Sequence, residues 1–66
     1  MINIIAEYQD SFSAPVGCGD TMEEAELLAN EWLGLQAPNK DECPVAITYW
    51  ARNDRGFFRL VKAVEL

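Results

Sequence analysis

Only one segment of this chain has the periodicity of a helix, and segments with the alternation of strands lie on both sides of it. Thr21 followed three residues later by Glu24 is a capping box, typical of a helix N-terminus, and Gly34 offers a C-terminal stop. The apolar positions between them form one stripe at 100° per residue, which we expect to be buried: Met22, Ala25, Leu28, Ala29, Trp32 and Leu33.

Three other segments are predicted to be strands. Residues 2–8 alternate with a two-residue period, with Ile2, Ile4, Ala6 and Tyr8 on one side and Asn3, Ile5 and Glu7 on the other. Residues 45–52 and 57–64 flank a four-residue sequence in which Asn53 opens a type I turn and Gly56 supplies the left-handed closing residue. These two segments are therefore predicted to form a hairpin.

The remaining segments are predicted to be connections. Residues 9–19 are rich in Asp, Ser, Pro and Gly, which indicates a loop, with a short extra strand as an alternative. Residues 36–44 carry two prolines and a polar run, which also indicates a connection. We therefore predict one α+β domain over residues 1–66, with the order β-α-β-β and one helix packed on one face of a three-stranded, mainly antiparallel sheet.

The alternation in the hairpin predicts which residues face the helix. The more apolar set should do so: Val45, Ile47, Tyr49, Phe58, Leu60 and Val64. The other set should lie on the outer face of the sheet: Thr48, Trp50, Arg52, Phe57, Arg59 and Val61. Two aromatic residues and two arginines are unusual on an uncovered face, which makes that face a candidate for binding.

The charge of the chain is strongly polarised. The net charge is −6, the first 39 residues contain no Lys or Arg, and seven of the eleven carboxylates lie among them. Such a field repels nucleic acids and anionic membranes and attracts basic protein surfaces, including those that hold phosphate backbones.

The sequence offers little for catalysis, cofactors or metal. There is no histidine to act as a general acid or base, and two separate cysteines cannot form a zinc site. Cys18 and Cys43 are expected to be reduced thiols without a catalytic role, because residues 1–3 do not resemble the basic start of a signal peptide and carboxylates surround Cys18. We expect a cytoplasmic protein, with no membrane segment, that is not an enzyme.

Residues 14–25 resemble a known family. They read Ala-Pro-Val-Gly-Cys-Gly-Asp-Thr-Met-Glu-Glu-Ala, which is similar to the Pro-Gly-Cys and Gly-Asp-Thr-x-Glu-Glu-Ala elements of HicB-type antitoxins. The resemblance implies a small cytosolic protein that neutralises a toxin. The size, acidity and element order of the whole chain also resemble phage-encoded anti-CRISPR proteins, which implies an inhibitor that covers a nucleic-acid-binding surface of a bacterial defence complex.

The leading hypothesis is an acidic inhibitor that mimics DNA and binds a basic nucleic-acid-binding protein in the bacterial cytoplasm, without binding nucleic acid itself. The expected partner-binding residues are Asp20, Glu23, Glu24, Glu26, Leu27, Glu31, Trp50 and Phe57. The alternative is an antitoxin-like or self-associating module that uses the outer sheet face, so that the protein is a monomer or a homodimer. A third possibility is a single-stranded RNA-binding sheet that stacks bases on Trp50 and Phe57.

Overall fold

The computed structural model describes residues 1–36 and 43–66, and it places one helix and four strands within them. In chain order the elements are β1 (Ile2–Glu7), β2 (Ser13–Gly19), α1 (Met22–Gln36), β3 (Ala46–Arg52) and β4 (Phe58–Glu65). Of the predicted connection at 36–44, residues 37–42 lie outside the described residues.

The sheet has four strands in the order β2-β1-β3-β4, and every neighbouring pair is antiparallel. The prediction of a three-stranded sheet is therefore wrong. The extra strand, β2, comes from the segment that the Pro and Gly content marked as a loop. It pairs with β1 from Ser13 to Gly19, with one register shift at Val16, and Pro15 is tolerated because β2 is an edge strand.

A compact turn explains how β1 leads into β2. The backbone N–H of Tyr8 donates to the carbonyl of Phe12 at 2.8 Å, and that of Phe12 donates to the Asp10 carboxylate at 3.2 Å. Ser11 adopts the left-handed conformation, with φ of 68°. The rings of Tyr8 and Phe12 then lie 5.8 Å apart.

The helix begins as the sequence predicts, but it continues through the predicted stop at Gly34 and ends at Gln36. The backbone N–H of Glu24 donates to Thr21 Oγ1 at 3.2 Å, and the Glu24 carboxylate accepts from the backbone N–H of Asp20 at 3.0 Å. The hairpin turn is also confirmed, since Asn53 Oδ1 accepts from the backbone N–H groups of Arg55 and Phe57, and Gly56 has φ of 85°. Both features depend on side chains close in sequence, which is why the residues alone predict them.

The core lies between the helix and the inner face of the sheet. Its fully buried members come from β1, α1 and β3: Ile4, Ala6, Ala25, Ala29, Ile47 and Tyr49. The predicted inward alternation of β1 is confirmed, and so is most of the helix stripe. Leu28 is the exception, because it is 39% exposed.

The position of the helix explains the exposure of Leu28. The helix packs mainly against β2 and less against β1. Glu26 reaches toward β4, and at 100° per residue Leu28 lies on the opposite flank of the helix. Leu28 is therefore on the flank that points away from β3 and β4.

A β-bulge corrects the predicted faces of the last strand. The register of β3 and β4 shifts between Tyr49 and Trp50, so that Trp50 pairs with Leu60 and Arg52 pairs with Phe58. Paired residues share a face, so Phe58 and Leu60 lie on the outer face with Trp50, and the prediction that they meet the helix is wrong.

Two other residues of the hairpin, Arg59 and Val45, depart from the predicted faces, and Val61 has no partner on β3. Arg59 pairs with Ala51 on the helix side, where the sequence placed it outside. Val61 falls at the bulge, and Val45 precedes β3 and is exposed. The inward positions of Ile47, Tyr49 and Val64 are confirmed.

Candidate functional site

The side of the helix turned away from the sheet carries most of the predicted partner-binding residues. We call it the acidic helix surface and define it as Asp20, Glu23, Glu24, Leu27 and Glu31. All five are exposed, because the opposite side of the helix, which carries Ala25 and Ala29, faces the core. The structure thus brings four carboxylates and one leucine together on a single helix and its N-terminal approach.

Leu27 projects from the acidic helix surface with 61% of its area exposed. Two further leucines of the helix, Leu28 and Leu35, are also exposed. A helix of fifteen residues with three exposed leucines combines charge with apolar contact area. Neither Leu28 nor Leu35 is predicted from the sequence to be a surface residue, and their exposure follows from where the helix crosses the sheet.

Glu26, also predicted to bind a partner, is engaged within the chain. Its Oε1 lies 2.8 Å from Lys62 Nζ on β4. The hydrogen bond to Glu26, together with its charge, raises the pKa of Lys62. The pKa of Tyr49 is raised by burial first and then by the charge of Glu26. Glu26 therefore belongs to a contact between helix and sheet and is not a member of the acidic helix surface.

Glu24 has a structural role as well as a charge. One of its oxygens accepts from the backbone of Asp20 in the helix cap. Asp20, Glu23 and Glu31 have no cationic partner among residues 1–36 and 43–66. These three carboxylates are the most available for a basic partner.

Trp50 lies in a groove on the opposite, outer face of the sheet. The groove has a volume of about 340 Å³ and is lined by Asn3, Ile5, Trp50 and Phe58. Phe58 takes the place beside Trp50 that the sequence assigned to Phe57, which lies in the turn before β4 and is 68% exposed. The sheet thus separates Trp50 from the acidic helix surface, so one flat partner cannot contact both.

The indole of Trp50 is held by hydrogen bonds within the sheet. Its Nε1 donates to Thr48 Oγ1 at 2.9 Å, and the Thr48 hydroxyl lies 3.3 Å from the carbonyl oxygen of Ile5 and 3.4 Å from Glu7 Oε1. Because its single donor is occupied, the ring offers the groove an apolar surface without a free polar atom.

Other chemistry is not assembled in the described part of the chain. No three potential metal ligands come together there. Cys18 and Cys43 are both exposed, and no disulfide joins them. None of the described helices has the length and apolar character needed to cross a bilayer.

Comparison with known proteins adds no relative. No protein-family model, curated protein or solved structure matches the chain.

Proposed function

We propose that this protein is a non-enzymatic inhibitor whose acidic helix surface binds the basic surface of a nucleic-acid-binding protein in place of phosphates. The observation that supports the proposal most is the exposed row of Glu23, Leu27 and Glu31 along the helix, which Asp20 extends beyond the N-terminus, with no ion pair in the described chain to these three carboxylates. Carboxylates that no internal cation neutralises keep their full attraction for an external one.

The charges and the leucine would contribute differently to such a complex. Exposed ion pairs contribute only ~0–1 kcal/mol each, and their main effect is to speed the encounter of the two proteins. An apolar side chain buried at the centre of an interface slows dissociation. Leu27, which projects between the carboxylates, is suited to that role.

A bacterial defence complex as the target, with the protein encoded by a phage, is part of the proposal and derives from the resemblance in size and acidity alone, because the predicted element order is wrong. The HicB-like antitoxin and the single-stranded RNA-binding sheet stay predictions.

Charge reversal of the acidic helix surface tests the proposal. The variant Glu23→Lys/Glu31→Lys is compared with Asp10→Lys/Asp54→Lys, which changes the net charge equally at exposed positions in the turns of the two hairpins. Both are immobilised and exposed to bacterial lysate after nuclease treatment, and captured proteins are quantified by mass spectrometry.

We expect wild type and the hairpin variant to capture a nucleic-acid-binding protein. Added DNA or RNA should displace that protein. The helix variant should lose it while keeping a native circular dichroism spectrum. If the helix variant captures that protein as well as wild type does, mimicry by this helix is wrong.

A further inference from the structure

The outer face of the sheet has an apolar centre that nothing in the described chain covers. The helix packs on the other face, and β4 is almost wholly exposed. The strand register orders the centre into two rows across the strands: Asn3, Trp50 and Leu60 in one, Ile5, Thr48 and Ala63 in the next. Large side chains dominate the first row on β3 and β4, and small ones dominate the second.

The two ends of the same face carry opposite charge. At one end Ala46 lies between Glu7 on β1 and Glu65 on β4, so two carboxylates flank a small residue. At the other end Arg52 pairs with Phe58, and its guanidinium carbon lies 5.9 Å from the centre of the Phe58 ring. Arg52 has no carboxylate partner in the described parts of the chain.

We infer that this face binds the same face of a second copy of the chain, giving a two-layer sandwich with a helix on each outside. The two-fold axis lies in the interface and runs perpendicular to the strands. This operation reverses the strands of the second copy, so Arg52 of each copy lies over Ala46 and between Glu7 and Glu65 of the other. Sheets packed in this way are about 10 Å apart and rotated by about 30°.

The same axis also matches large side chains with small ones. It places Leu60 over Ala63 of the other copy, and the reverse, whereas Thr48, which is only 9% exposed, is covered by Trp50 of its own chain. Alternation of large and small residues lets two facing layers interdigitate without voids. A two-fold axis parallel to the strands would instead bring the two Arg52 residues together and gather the carboxylates of both copies, which like charges disfavour.

The hydrogen bond of Trp50 lowers the free-energy cost of burying this face. The indole N–H already donates to Thr48, so covering the ring leaves no donor without a partner. The dimer leaves the acidic helix surface exposed on both outsides. The inference of a dimer does not depend on the proposed function. If the protein is an inhibitor, the dimer would carry two acidic helix surfaces and would be bivalent.

Sedimentation equilibrium between roughly 1 and 100 µM measures the association, in which each tenfold change of Kd corresponds to about 1.4 kcal/mol. We expect wild type to reach twice its monomer mass of 7.4 kDa. Arg52→Glu should raise the dissociation constant at least about tenfold, and Arg52→Glu/Glu65→Arg should recover most of that loss. Arg59→Glu is the matched control, because Arg59 lies on the helix side of β4 and should leave the dissociation constant unchanged.

A second variant tests the apolar centre independently. Leu60→Arg changes an exposed residue, so the monomer should keep its fold, and the dimer should be lost at all concentrations. Wild type that sediments as a monomer throughout overturns the inference. Equal weakening by Arg52→Glu and Arg59→Glu does so too. A change of Trp50 fluorescence on titrating a Trp32→Phe variant with single-stranded oligonucleotide would also overturn it, since the face would then bind nucleic acid.

Discussion

Lys62 Nζ lies 2.8 Å from Glu26 Oε1, so an ion pair between residues 36 positions apart joins the edge strand β4 to the helix. Both side chains remain about half exposed, and Tyr49 pairs with Lys62 across the ladder. The helix packs mainly on β2 at the other edge of the sheet, so this ion pair extends the contact of the helix toward β4. The three side chains form a small titratable group between helix and sheet.

The first prediction concerns stability at alkaline pH. The pKa of Tyr49 lies above its usual 10.0, because of burial and then the charge of Glu26, and the pKa of Lys62 lies above its usual 10.5 because of Glu26. In both cases the folded state holds its proton more tightly than the unfolded state. Stability is therefore fully present below pH 10.0 and falls as pH rises through the raised values.

Urea unfolding at a series of pH values from neutral to alkaline measures this slope. Glu26→Gln removes the partner of Lys62 and a charge beside Tyr49, so its stability should fall less steeply than that of wild type above pH 10.0. Glu23→Gln, on the exposed side of the same helix, should keep the wild-type slope. Identical slopes for Glu26→Gln and wild type would show that the group does not couple to folding.

The second prediction concerns the close approach of β2 and the helix at Gly19. A Cβ at Gly19 would lie 2.8 Å from the backbone N of Ala25, and backbone cannot move aside as a flexible side chain can. We expect Gly19→Ala to lower the free energy of unfolding by about 1–3 kcal/mol. Gly17→Ala is the matched control on the same strand, because a Cβ there meets nothing within 4 Å, and it should change stability by less than ~0.5 kcal/mol. Equal effects in urea unfolding would contradict the packing explanation.

The third prediction compares two left-handed residues in equivalent turns. Ser11 has φ of 68° and Gly56 has φ of 85°, but only glycine adopts this conformation without a steric cost. Ser11→Gly should therefore raise the free energy of unfolding by about 0.5–1 kcal/mol, and Gly56→Ala should lower it by about 1 kcal/mol. Thermal unfolding of both variants checks the opposite signs. A destabilised Ser11→Gly would mean that the serine side chain compensates for its backbone.

The sequence predicted those elements whose cause is local. The helix start depends on Thr21 and Glu24, three residues apart, and the hairpin turn depends on Asn53 and Gly56. The acidic helix surface was predictable for the same reason, since the helical period alone places Glu23, Leu27 and Glu31 on one side.

What the sequence did not predict depends on contacts between distant segments. β2 contains Pro15 and two glycines and becomes a strand by pairing with β1. The bulge near Val61 moves Phe58 and Leu60 to the outer face, and a register shift cannot be read from the alternation of one strand. Leu28 is exposed because of where the helix crosses the sheet, and the engagement of Glu26 depends on Lys62 in a different element.

The last prediction concerns the hydrogen bond that orients Trp50. Thr48 is nearly buried, and its hydroxyl accepts from the indole N–H. Thr48→Val keeps the shape of the side chain but leaves the N–H without its acceptor, which should cost about 1–3 kcal/mol where water cannot reach the ring. Thr48→Ser retains the hydroxyl and should keep the orientation of the indole, with a smaller loss from the missing methyl group. Measured in a Trp32→Phe background, the emission of Trp50 should shift in Thr48→Val and stay near wild type in Thr48→Ser. If both variants leave the emission and the urea midpoint unchanged, the orientation of Trp50 comes from its apolar contacts with Ile5 and Phe58 in the groove and not from Thr48.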